Sequence, residues 1–149
     1  MGEGYRSSKR QKDRREVGFL YRRKFRALTR CIYCGNTAHT LDHVLPLSVA
    51  AAKDLSHPAA QRAVKFGLRL VPSCLECNLL AGARPFYSIL EKRKYIQKRL
   101  AKKYRRWLRH IVWTDDEMQE MGRCLRDQVA QAMQNRKVIE MRVNWPLLR

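Results

Sequence analysis

The sequence predicts an α+β fold, and three observations carry that prediction. Two Cys-x-x-Cys pairs, Cys31–Cys34 and Cys74–Cys77, bracket the middle of the chain. Between them, Thr40 to Val44 and Leu68 to Pro72 are short runs with strand character. Beyond Ser88, apolar residues recur at three- and four-residue steps, the period of amphipathic helices. The 149 residues carry 32 Lys and Arg against 13 Asp and Glu, a net charge of +19, and 45% of them are hydrophobic. Such a chain can build one modest core, and small cores often depend on a metal or disulfide. The charge excess favours a polyanionic partner, nucleic acid first among them. No apolar run approaches the ~18 residues of a bilayer span. The N-terminus lacks the apolar region of a signal peptide, so an intracellular, cytoplasmic location is expected.

Three segments follow from the patterning. Residues 1–16 are polar and basic, with Arg6, Lys9, Arg10, Lys12, Arg14 and Arg15, and read as a disordered arm. Residues 17–84 form the core segment. It opens with an amphipathic basic helix on Val17, Leu20, Tyr21, Phe25 and Leu28. Gly35-Asn36 then turns the chain after the first cysteine pair, and Pro46 ends the strand that begins at Thr40. Residues 47–67 read as a connector containing a short helix, with Pro58 in its first turn and Gly67 at its end. A second short strand leads to Cys74, and a brief helix begins there with Cys77 and Asn78 in its first turn.

Residues 85–149 read as a helical extension. Ser88 and Glu91 have the spacing of a capping box, as do Thr114 and Glu117. Ile89, Ile96, Leu100, Tyr104, Leu108 and Ile111 form one apolar stripe, and Met118, Met121, Leu125, Val129 and Met133 a second. Lys98, Arg99, Lys102 and Arg106, with Lys92 and Arg84, are the cations expected to touch phosphates. Alternation of Ile139, Met141, Val143 and Trp145 with polar residues predicts a closing strand. Cys124, alone on the second tail helix, reads as a small core residue. The two tail helices could also assemble a homodimer.

In a reducing compartment, Cys31, Cys34, Cys74 and Cys77 suit a tetrahedral zinc site better than disulfides. Four thiolates leave no open position, so this zinc would be structural. An Asp42-His43 pair lies between the cysteine pairs, and Asn78 directly follows Cys77. His39 and His57 read as surface or packing histidines.

Taken together, C-x2-C, then Leu41-Asp42-His43 with Pro46, then C-x2-C-Asn78 resembles the HNH endonuclease family over Cys31 to Gly82. The resemblance implies a zinc-stabilised, treble-clef-like ββα-metal core that hydrolyses phosphodiesters. It implies His43 as general base, Asp42 and Asn78 as ligands of a catalytic magnesium or manganese ion, and a DNA substrate, with RNA the other nucleic-acid possibility. It also implies a phage- or mobile-element-borne protein. A helical tail on such a core is similar to branched-DNA resolvases of the endonuclease VII type, which act as dimers. The chain departs from the family pattern at Arg69, where a middle Asn is usual, at Ala81, where Lys is frequent, and at Ser48 to Ala52, in place of Gly-Gly. A non-catalytic, zinc-dependent nucleic-acid-binding module is the alternative that these departures leave open.

Overall fold

The computed structural model describes residues 11, 12, 15, 30–51 and 56–146. Of the expected basic arm only Gln11, Lys12 and Arg15 are described, and all three are helical. The helix expected over Val17 to Leu28 lies outside the described residues.

The described residues form an α+β fold built on two antiparallel strands, β1 (Thr40–His43) and β2 (Leu70–Ser73). Their register pairs Thr40 with Ser73, Leu41 with Pro72, Asp42 with Val71 and His43 with Leu70. Pro72 has no N–H to give, a loss tolerable in a sheet with only edge strands. Its carbonyl accepts the N–H of Ile32 at 3.0 Å, which seats the first cysteine turn against β2.

Two short helices join the strands, α1 (Leu47–Ala51) and α2 (Pro58–Phe66). Pro58 opens α2 where no backbone donor is needed, and Gly67 closes it at φ +84 with its N–H on the Ala63 carbonyl. Leu45, Leu47, Ala50, Ala60, Ala63 and Leu68 close a small core of their own beneath this connection. After β2 comes α3 (Leu75–Ala81), whose N-cap is Cys74: its sulfur accepts the N–H of Cys77 at 3.5 Å.

The extension is helical, as expected, but segmented differently. Helix α4 (Ile89–Lys103) begins at Ser88, whose hydroxyl accepts the Glu91 N–H at 3.1 Å. Glu91 reaches back to the N–H of Tyr87 rather than Ser88, so only half of the expected box forms there. The helix breaks at Tyr104 and continues as α5 (Arg105–Leu108). The Thr114–Glu117 box is complete and starts α6 (Asp115–Gln119); α7 (Arg123–Val143) follows. Ile89, Ile96 and Leu100 of α4 join Tyr33, Val44, Val71, Ala81, Phe86 and the four cysteines in the main core.

Three tail expectations are corrected. The closing strand is instead the end of helix α7. Ile139 and Val143, which alternate with polar neighbours, are also one helical turn apart: Ile139 is buried and Val143 packs on the main core. Met141, which a one-sided strand would bury with them, is 58% exposed. Cys124 is exposed rather than a core residue, and Ile111 is exposed rather than part of the α4 stripe.

The end of α7 returns to the first cysteine turn. Gly35 is buried at φ +74, and a Cβ there would overlap the Trp145 ring. Gly35→Ala therefore combines left-handed backbone strain with overpacking and should cost about 2–4 kcal/mol. Urea unfolding measures it; a loss below about 0.5 kcal/mol would contradict the docking of Trp145 on this turn.

Candidate metal centre and catalytic residues

The two cysteine pairs, 40 residues apart along the chain, converge because the Ile32–Pro72 bond holds the first pair to β2 while β2 runs directly into the second. All four cysteines are buried, and their sulfurs lie within 4.8 Å of one another. Four sulfurs at about 2.3 Å from a tetrahedral zinc stand about 3.8 Å apart; the Cys34 and Cys74 sulfurs are 3.7 Å apart. The cluster thus has the donors, burial and spacing to hold a zinc ion. Its protons are strongly coupled. Sulfur contacts from Cys34, Cys74 and Cys77 push the Cys31 thiol far down. Cys34 settles at about 7, raised by Cys31 and lowered further by Cys74 and Cys77. Sulfur contacts from Cys31 and Cys34 push the Cys74 thiol far up, and contacts from Cys31, Cys34 and Cys74 do the same to Cys77. A divalent cation would relieve that competition by favouring the thiolate at all four positions.

Asp42 and His43 leave β1 on opposite faces, as regular strand alternation requires. Asp42 is only 5% exposed, and both its oxygens are engaged. The Tyr33 hydroxyl donates to Oδ2 at 2.6 Å, and the Lys92 ammonium lies 3.0 Å from Oδ1 and 2.8 Å from Oδ2. Burial, then the charge of Asp42, push the Tyr33 hydroxyl well above its ordinary range. Lys92, 1% exposed, also donates to the His43 carbonyl at 2.7 Å. It is therefore not a phosphate contact, which corrects the expectation for that residue: α4 turns Lys92 inward with Ile89 and Ile96. His43 is half-buried at the last position of β1. Asn78 is half-buried on α3, and its Nδ2 donates to Thr40 Oγ1 at 3.3 Å. Thr40 and Asp42 share a strand face, so Asn78 is tied to the Asp42 side of β1, and His43 lies on the other side.

The remaining predicted phosphate contacts, Arg84, Lys98, Arg99, Lys102 and Arg106, are all exposed. Arg84 leans over the Tyr95 ring, its guanidinium carbon 4.8 Å from the centroid. His39 is exposed, and His57 stacks on Tyr87 with ring centroids 3.5 Å apart. Neither joins the cysteine cluster. Arg69, at the middle-Asn position, is exposed, and its carbonyl accepts the Val44 N–H at 3.1 Å.

Sequence reasoning missed a second polar cluster beside the cysteines. Glu76, inside the second cysteine pair, accepts hydrogen bonds from Lys103, Tyr104 (2.6 Å) and Arg142. Burial opposes its charge, but these three donors outweigh burial and hold the carboxyl down to about 2. The only signal available beforehand was an acid within a cysteine pair of a very basic chain.

No protein-family model, curated protein or solved structure matches this chain.

The Asp42–Lys92 contact makes a clear energetic prediction. Lys92→Met leaves a buried carboxylate without its counter-ion and should cost roughly 3–5 kcal/mol by urea unfolding. Adding Asp42→Asn removes the orphaned charge and should recover most of that loss. A single-variant loss below about 1 kcal/mol would show that the pair is not buried as described.

Proposed function

We propose that this chain is a zinc-stabilised DNA endonuclease with His43 as its general base. One observation carries the reading: the cysteine cluster and the Asn78–Thr40 bond lock α3 against β1, so Asp42, His43 and Asn78 sit on two abutting elements. A half-buried imidazole at a strand end is suited to take a proton from water near neutral pH. Water oxygen then bonds to phosphorus as the bond to the 3′ oxygen breaks, and that oxygen takes a proton from solvent, giving a 5′-phosphate and a 3′-hydroxyl. Lys92, through the His43 carbonyl, steadies the backbone that carries the base. Exposed cations on α4 and α5, among them Lys98, Arg99, Lys102 and Arg106, would hold the duplex by its phosphates.

Asp42 and Asn78 are the oxygen donors for a catalytic magnesium or manganese ion, which when bound would neutralise charge on the phosphate and leaving oxygen. In kind these donors suit a hard cation. In access Asp42 does not, because Lys92 and Tyr33 already hold both its oxygens. A divalent ion would have to displace the ammonium.

That same contact favours a second reading, a nucleic-acid-binding module that keeps the frame without turnover. Plasmid cleavage separates the two. With magnesium or manganese, wild type should nick or cut, and His43→Ala should lose at least about 100-fold in rate, the usual scale of general-base catalysis. Equal DNA binding by both proteins with cutting by neither would sink the endonuclease and leave the binding module.

A further inference from the structure

Four thiolates around one zinc ion carry a net negative charge, and a buried charge is costly unless something pairs with it. Among the described residues, a cationic side chain lies against a cluster sulfur. Arg142, near the end of α7, brings Nη2 to 3.9 Å from Cys34 Sγ. The same nitrogen donates to Glu76, inside the other cysteine pair, and the guanidinium lies over the Tyr104 ring, 5.5 Å from its centroid. The side chain is only 11% exposed. Two further contacts hold the residues that follow α7, one to the turn of Cys34 and one to α4. Trp145 fills the space above Gly35, in the turn that carries Cys34, and its carbonyl accepts Gln97 Nε2 at 3.1 Å.

We propose that Arg142 is a zinc-retention residue: its guanidinium offsets thiolate charge at Cys34 and, through Glu76, ties the end of α7 to both cysteine pairs. Held in this way, the Cys34 sulfur is a poorer target for competing metal-binding groups, so zinc leaves slowly. The coupling is reciprocal, because without zinc the Cys34 sulfur is no longer fixed in place opposite Arg142, and the end of α7 then loosens. Arginine suits the position because its planar guanidinium lies over the Tyr104 ring while Nη2 reaches Glu76 and Cys34, whereas a lysine ammonium is a single point charge. This role does not depend on whether the protein cuts DNA.

The test uses zinc-loaded full-length protein and the chromogenic chelator pyridylazoresorcinol. Arg142→Met should raise the zinc-release rate by roughly tenfold or more, the usual effect of removing a residue that orients a metal ligand. Arg142→Lys, which keeps the charge but not the planar group over Tyr104, should fall between Met and wild type. Trp145→Ala, which loosens the helix end but leaves the guanidinium, should release zinc more slowly than Arg142→Met. Removing zinc should speed amide exchange over residues 139–145. Release from Arg142→Met within about twofold of wild type would overturn the proposal. Should Arg142→Met not fold, Glu76→Gln reads the same quantity, because it weakens the anchor of the guanidinium; unchanged release there would also overturn it. Equal acceleration in the Met, Lys and Trp145→Ala variants would assign the effect to helix docking and overturn the role of charge.

Discussion

Everything described in this protein depends on four buried sulfurs meeting at one point. Cys31 and Cys34 come from a turn held against β2, and Cys74 and Cys77 come from the junction of β2 with α3. The main core gathers around them: Tyr33, Val44, Val71 and Ala81 come from the same small frame, while Ile89, Ile96 and Leu100 come from α4. A two-stranded sheet and one short helix bury too little apolar surface to hold such a frame alone. A bound cation would turn competition among thiols into four bonds, and at a site formed only in the folded chain its binding energy would be folding energy.

A second constraint lies one strand away. Lys92 crosses from α4 to reach Asp42 and the His43 carbonyl. Its ammonium thereby links the extension to the residues with the clearest chemical potential. A buried pair of this kind adds little net stability compared with an apolar substitute, but breaking it is expensive. It fixes how β1 sits relative to α4. It also makes Asp42 part of the scaffold before any metal arrives, which is where the endonuclease and binding-module readings diverge.

Much of this was legible in the residues. Two Cys-x-x-Cys pairs can scarcely be read except as a metal site, and the cluster they form is compact and buried. Pro58, Gly67, Thr114 and Glu117 mark helix ends because their roles are local, set by backbone donors within one turn. What escaped was non-local. Lys92 looks like one more cation in a basic run, and only packing against β1 turns it inward. Arg142 and Glu76 are 66 residues apart, and neither has a sequence pattern that announces the other. At the end of α7, alternation over a few residues coincides with helical spacing, and the helix wins because it buries Ile139 and packs Val143 on the main core. The pattern puts Asp42 and His43 on a strand and Asn78 on a helix, where they lie, but the occupation of Asp42 by Lys92 and Tyr33 is set by packing between distant elements.

The most direct measurement is X-ray absorption at the zinc edge of protein purified without added metal, together with metal analysis of the same sample. The account predicts one equivalent of zinc with four sulfur neighbours at about 2.3 Å and no nitrogen or oxygen neighbour. Folded protein with well under one equivalent of zinc, or a zinc bound through nitrogen or oxygen, would contradict the four-thiolate centre on which the rest of the structure depends.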